Sequence, residues 1–337
     1  MKLYEFSALI IQIGFCATFL TNAVFITLTL FYTRKITGTY RKLLAIFAAT
    51  CIIFSAIEVI AQPCIHNFNG GMIYFSLNSD SVVFVFVSQR FQTIAVIFYA
   101  SCYASQLTFI AIQFIFRTAT LTGHPIKDTF QGGWQLFWIF YFLATGTMYG
   151  LIVDYCLATD DYSDSYFRRE LMSVYGRNVS STPRVQEVPY DEHGNLRWKI
   201  LVYFFSEFML LNSQYVIIIF CAVKMRNAMK TKLRNLSRRN RKLESQFFKA
   251  LSVQILLPTF LLTLPIGIVL SLPFLDLKLS FQSQVAFALY SLYPPLDSIA
   301  TMVIVTEYKT SLRGSSWRIY RLSIDRVMKS GTKRQGQ

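Results

Sequence analysis

Seven stretches of this chain are apolar and long enough to cross a lipid bilayer, at about 6–32, 43–62, 92–116, 134–153, 200–223, 247–272 and 284–305. A hydrocarbon core of roughly 30 Å takes about 20 residues of helix at 1.5 Å rise each. A helix is also the form that satisfies its own backbone hydrogen bonds where there is no water. The expectation is therefore an all-α membrane protein. Residues 1–308 form one seven-helix bundle, and residues 309–337 a basic cytoplasmic tail. An odd number of crossings puts the two termini on opposite sides. The first stretch exceeds the roughly 7–15 residues of a secretory h-region, so it reads as an uncleaved signal-anchor helix.

Charge sets the orientation. The formal net charge of +15 raises nucleic acid as a partner, but the cations sit in loops between apolar stretches. Membrane topology is the better account, with the bilayer as partner and no nucleic acid. Of the 33 Lys and Arg residues, 23 fall in the loops after spans one, three and five and in the tail. Nine of them lie between Lys224 and Lys242. The basic side is cytoplasmic by the positive-inside rule, which places the N-terminus outside and the C-terminus inside. The sequon Asn178-Val179-Ser180 agrees, because it lies in the loop after span four, on the expected outer side. That loop, read as turns and irregular chain, holds eight acids against five cations. A second sequon, Asn235-Leu236-Ser237, lies in the basic loop and is expected to stay unmodified; Ser237 is a weak phosphorylation candidate there. Residues 81–88 alternate weakly and fit either a short strand or an interfacial lip.

Little here points to metal or nucleophilic chemistry. Cys16, Cys51, Cys102 and Cys221 lie inside spans, where cysteine packs as a small hydrophobe. Cys64 and Cys156 fall just outside the membrane on the oxidising side and are the candidate disulfide. His66, His124 and His193 occupy separate loops, so neither a metal site nor a cofactor is expected, and the chain is not expected to be an enzyme.

Ionisable residues within a membrane are expensive and therefore point to function. Glu58, Glu207 and Asp297 are the three. Glu58 and Glu207 fall in outer halves of spans, where a shared water-accessible cavity and interfacial snorkelling are both open readings. Tyr99, Tyr103 and Tyr203, with Gln62 and Gln92, lie at similar depth and suit a small, largely apolar ligand pocket. Pro258 and Pro265 in span six, and Pro294-Pro295 just before Asp297, are expected to kink their helices and provide a conformational switch. A transporter or channel that uses the three acids as an ion path is the alternative to a receptor.

The last third resembles the nematode seven-transmembrane chemoreceptors of the Str type, within the serpentine superfamily of G-protein-coupled receptors. The resemblance rests on Gln246-Phe247-Phe248-Lys249-Ala250-Leu251 with Gln254, Pro258 and Pro265, on Leu292-Tyr293-Pro294-Pro295-Leu296-Asp297, and on Tyr308. Phe114-Ile115-Phe116-Arg117 looks like the family's aromatic-Arg ending of span three. Phe247, Pro295 and Thr118 depart from the usual residues, and no cysteine stands at the outer start of span three. The resemblance implies a plasma-membrane olfactory-type receptor, sited in a sensory-neuron cilium. It would bind an odorant-like small molecule near Glu58, Gln62, Gln92, Tyr99, Tyr103, Tyr203 and Glu207. Tyr293 joins Pro258, Pro265, Pro294 and Asp297 as the implied switch. Arg117, Lys249 and Tyr308 are implied to face a heterotrimeric G protein.

Overall fold

A computed structural model describes residues 3–33, 38–78, 88–232, 238–275, 280–283 and 289–311. The long helices are α1 (Leu3–Thr27, continued by a π turn, Leu28–Tyr32), α2 (Gly38–Ala61), α3 (Gln89–Thr122), α4 (Gln135–Cys156) and α6 (Trp198–Lys232). Shorter ones are α5 (Asp161–Tyr175), α7 (Arg238–Pro258), α8 (Leu264–Ser271) and α9 (Tyr293–Ile304). Six helical runs among the described residues are long and apolar enough to cross a membrane; the sixth joins α7, a π turn (Thr259–Thr263) and α8. The seventh expected span is described from residue 289 onward, where α9 supplies 12 helical residues. The 81–87 alternation, the Asn235 sequon with Ser237 and the tail beyond 311 lie outside the described residues.

The bundle is held by packing more than by water exclusion. Lipid tails are as apolar as leucine, so helices meet through close contact and buried polar bonds worth roughly 0.6–2 kcal/mol each. Lipid-facing surfaces are accordingly apolar, as with the exposed Leu136, Phe140, Leu143 and Leu151 of α4. The most buried span is α3, which packs against α2, α4 and α6. Small residues allow the closest approaches. A Cβ on Gly14 of α1 would stand 2.9 Å from both the Cβ and the carbonyl oxygen of Ser291, so only glycine lets α1 lie against the turn before α9.

The helical bundle forms as expected, but it is not the whole fold. A four-stranded antiparallel sheet, in the order β3-β2-β1-β4, covers one end of the bundle. Its strands are β1 (Pro63–Phe68), β2 (Gly71–Ser76), β3 (Arg184–Glu187) and β4 (Ser280–Gln282). β1 and β2 form a hairpin turned by Asn69-Gly70, with Asn69 in the left-handed region (φ 50°) that asparagine tolerates. Both faces of the sheet are covered. Ile65, Met72, Tyr74 and Val185 pack into the bundle, whereas Cys64, Ile73 and Phe75 pack on Phe167 and Leu171 of α5.

The long loop after α4 is likewise not irregular. Asp160 caps α5 by accepting from the Ser163 amide at 2.8 Å, and Gly176 ends it at φ 67°. Phe167 and Leu171, four apart, form the buried stripe. Arg184 pairs with Asp164, Arg197 with Asp160 and Arg90 with Asp154, which uses several of the loop's charges locally.

Pro294 and Pro295 lie in the first turn of α9, where no amide is needed. Pro265 instead follows the π turn inside the continuous run of α7, π turn and α8. Pro258 closes α7, and the π turn that follows breaks the common face expected of Pro258 and Pro265.

Candidate functional site

A cavity of about 350 Å³ lies under the sheet, among α3, α4, α6 and α8. Ile65, Met72 and Tyr74 form its roof, and Tyr99, Tyr103, Tyr149, Tyr203, Tyr215 and Tyr290 its polar-tipped walls. Most other lining groups are apolar, Phe54, Val153, Leu211 and Leu270 among them. The volume lies within the roughly 300–1,000 Å³ usual for small-molecule sites. No Lys, Arg or His lines it among the described residues.

Of the residues expected at a ligand site, Tyr99, Tyr103, Tyr203 and Glu207 line this cavity. Glu207 accepts from the Tyr149 hydroxyl at 3.1 Å and bonds to Tyr203. Glu58 is fully buried behind the wall, where Oε1 accepts from Tyr99 at 3.0 Å and from Ser291 at 2.7 Å. Snorkelling to an interface is therefore not its arrangement. Gln62 and Gln92 do not line the cavity. Gln62 is instead the left-handed residue (φ 38°) that turns the chain out of α2, and its carbonyl accepts from the Leu77 amide. Sequence reasoning missed Tyr149, Tyr215 and Tyr290; their type was visible, but nothing set them apart from tyrosines that face lipid.

Two tyrosines tie the cavity to the helix run behind it. Tyr103 and Tyr215 share hydrogen bonds with Thr263 Oγ1 at 2.6 and 2.9 Å, and Tyr215 also reaches Thr259 Oγ1 at 3.0 Å. Both threonines belong to the π turn. On another wall Tyr290 stacks on Tyr293 at 5.5 Å between centroids. Asp297, one turn on, accepts from Gln254 of α7 at 3.1 Å. The three intramembrane acids thus sit in three separate bonding groups, and only Glu207 lines the cavity. That is no shared ion path.

At the opposite end Arg117 is buried, contrary to its expected open face. Glu244 of α7 is ion-paired with it, and its guanidinium lies 4.6 Å from the ring centroids of Tyr40 and Phe247. Tyr308 is also fully buried and bonds Thr29 at 3.0 Å. Of the three expected G-protein contacts only Lys249 is exposed. Gln246 braces the same region by accepting from the amide and hydroxyl of Thr306.

The expected disulfide does not form. Cys64 and Cys156 are not bridged, because strand alternation turns Cys64 toward α5, where its Sγ bonds Tyr175 at 3.8 Å, while Cys156 packs in the bundle. Burial pushes the Cys64 thiol up to about 12. Asn178 is exposed and caps a short 3-10 turn.

The chain as a whole is similar to known proteins. A family model described as serpentine type 7TM GPCR chemoreceptor Str matches residues 7–313. A G-protein coupled receptor str-33 of Caenorhabditis elegans is 35% identical over 318 residues, covering 93% of this chain and 91% of that protein. Serpentine receptor class r-10 proteins of Caenorhabditis briggsae and C. elegans are 26% and 25% identical, each over 89% of this chain and 87% and 88% of their own lengths.

Proposed function

Because the chain belongs to the Str family of serpentine G-protein-coupled chemoreceptors, a family of multi-pass membrane receptors, we propose that it senses a small molecule in the tyrosine-lined cavity and signals to a G protein. The sheet-covered end faces outward and the Arg117 end the cytoplasm. The plasma membrane, and within it a sensory cilium, is the site of action, with smell as the sense served. Seven crossings complete the bundle.

One observation carries this reading. Tyr103 and Tyr215 line the cavity and also hold Thr263 in the π turn of the helix run whose other end supplies Glu244. A ligand that competes for those hydroxyls changes the bonding of the π turn, an element type found mostly at functional sites. It favours one of two arrangements of the run by its differential affinity for them. Tyr290, Tyr293 and Asp297 form the parallel route to α7 through Gln254. In the active arrangement Glu244 releases Arg117. Arg117, Lys249 and the basic 224–242 segment then become the G-protein surface.

Full-length receptor in nanodiscs with purified G proteins tests this. Odorant-like ligands should accelerate nucleotide exchange on the G protein, and Tyr215→Phe should blunt that response without abolishing ligand binding. Ligand binding with no change in exchange would sink the relay. For orientation, an endoglycosidase-sensitive mobility shift should vanish in Asn178→Gln.

A further inference from the structure

The cavity is lined by an acidic side chain, Glu207, and, among the described residues, by no basic one. A second carboxyl group is buried in the sheet that roofs the cavity, without lining the cavity itself. Glu187 of β3 is fully buried, and neither of its oxygens has a hydrogen-bond partner among the described residues. Strand register gives its direction. Glu187 pairs with Met72 and Val185 with Tyr74, and directly opposed residues point to the same face of a sheet. Met72 and Tyr74 line the cavity, so Glu187 shares their bundle-facing side of the sheet and is buried behind the lining.

Neither flanking arginine offsets it, since Arg184 is engaged by Asp164 and Arg197 by Asp160. Burial, followed by the neighbouring Glu207, pushes the Glu187 carboxyl well above the usual carboxylate range. A buried carboxyl with no counter-charge is held as the neutral acid, and a cationic guest nearby is what would favour its ionised form. The rest of the lining suits one, because tyrosine faces attract ammonium groups through the ring quadrupole, and seven tyrosines surround the space.

We propose that this cavity selects small organic cations, protonated or quaternary amines, with Glu207 and Glu187 as counter-charges and the tyrosine rings as the enclosing cage. The proposal rests on the receptor reading above only for the identity of the site.

The test uses the full chain in nanodiscs and a panel of alkyl and arylalkyl amines, each matched with its neutral alcohol and carboxylate isosteres. Binding is read by thermal stabilisation of the receptor, and signalling separately by nucleotide exchange on a G protein. Amines should bind at least tenfold tighter than their isosteres. Glu207→Gln should weaken amine binding by about tenfold or more, with a smaller loss in Glu187→Gln. Both substitutions keep side-chain shape; if either fails to fold, the amine-against-isostere comparison on the unsubstituted chain decides alone. Isosteres that bind as well as amines, a panel in which no amine binds, or a folded Glu207→Gln variant with undiminished amine affinity would each overturn the proposal and leave the receptor reading standing. Amines that bind selectively without driving exchange would support the proposal while overturning the receptor reading.

Discussion

At the sheet-covered end Glu58, Glu187 and Glu207 are buried with only hydroxyls or nothing beside them, whereas at the other end Arg117 is buried with Glu244 paired to it and two aromatic rings upon it. The first end is polar but uncompensated. The second is closed on itself, because the Tyr40 and Phe247 rings that flank the arginine belong to an apolar cluster with Phe116, Phe130 and Tyr308. Leaving one member of a buried pair unmatched costs roughly 3–5 kcal/mol, so the Arg117 end resists opening while the cavity end gains from a partner. That asymmetry is what a receptor needs if it is to stay off until a guest arrives.

Breaking the Arg117 end should have the largest effect. Glu244→Gln leaves the guanidinium buried without its counter-ion. Since Glu244 is 25% exposed, the loss should fall near the low end of the range, about 3 kcal/mol. Basal nucleotide exchange on the G protein should rise in nanodiscs without ligand. Unchanged basal exchange would mean that the pair does not hold the resting state. The double exchange Arg117→Glu with Glu244→Arg should restore part of the restraint.

Weakening the cavity roof comes next. Asn69→Val puts a β-branched residue at φ 50°, where L-residues pay about 1–2 kcal/mol. Hydrogen exchange should quicken across 63–76 while the Arg117 end keeps its protection. Loosening at both ends would refute their independence.

The smallest effect is that of pH on the outer sheet face. His66 bonds Glu170 and Tyr175, and burial, opposed by Glu170, lowers its pKa below the ordinary value near 6.5. The unfolded chain therefore takes up a proton that the folded imidazole refuses. Local stability falls as pH drops below about 6.5, until the lowered folded value is passed. Hydrogen exchange of β1 at pH 7 and 5.5 should show this slope, and a His66→Gln variant should lose it.

Much of the fold is legible in the chain because long apolar runs admit few structures. The 6–32 stretch, for example, coincides with the helical run of α1 and its π turn. The sheet was harder to see. Strands buried on both faces lose the polar–apolar alternation that marks a half-exposed strand, and in β2 all six residues are buried. Asn69-Gly70 between two short apolar segments is nevertheless a hairpin signal, as Asp160 and Gly176 are helix-end signals for α5. The candidate site was legible only in residue type. Tyr99, Tyr103, Tyr203 and Glu207 lie at the right depth, but so do Gln62 and Gln92, which the structure turns elsewhere.

By itself the sequence determined that this chain is a set of membrane-crossing helices with one strongly basic side, because hydropathy and charge act residue by residue and need no partner. Which face of each helix turns inward was decided only by tertiary structure. A span that is apolar all round carries no stripe to mark its buried side, so its rotation is set by contacts such as Gly14 on Ser291. Those contacts decide that Glu207 faces a cavity, and that Arg117, expected at the surface, lies buried between two rings.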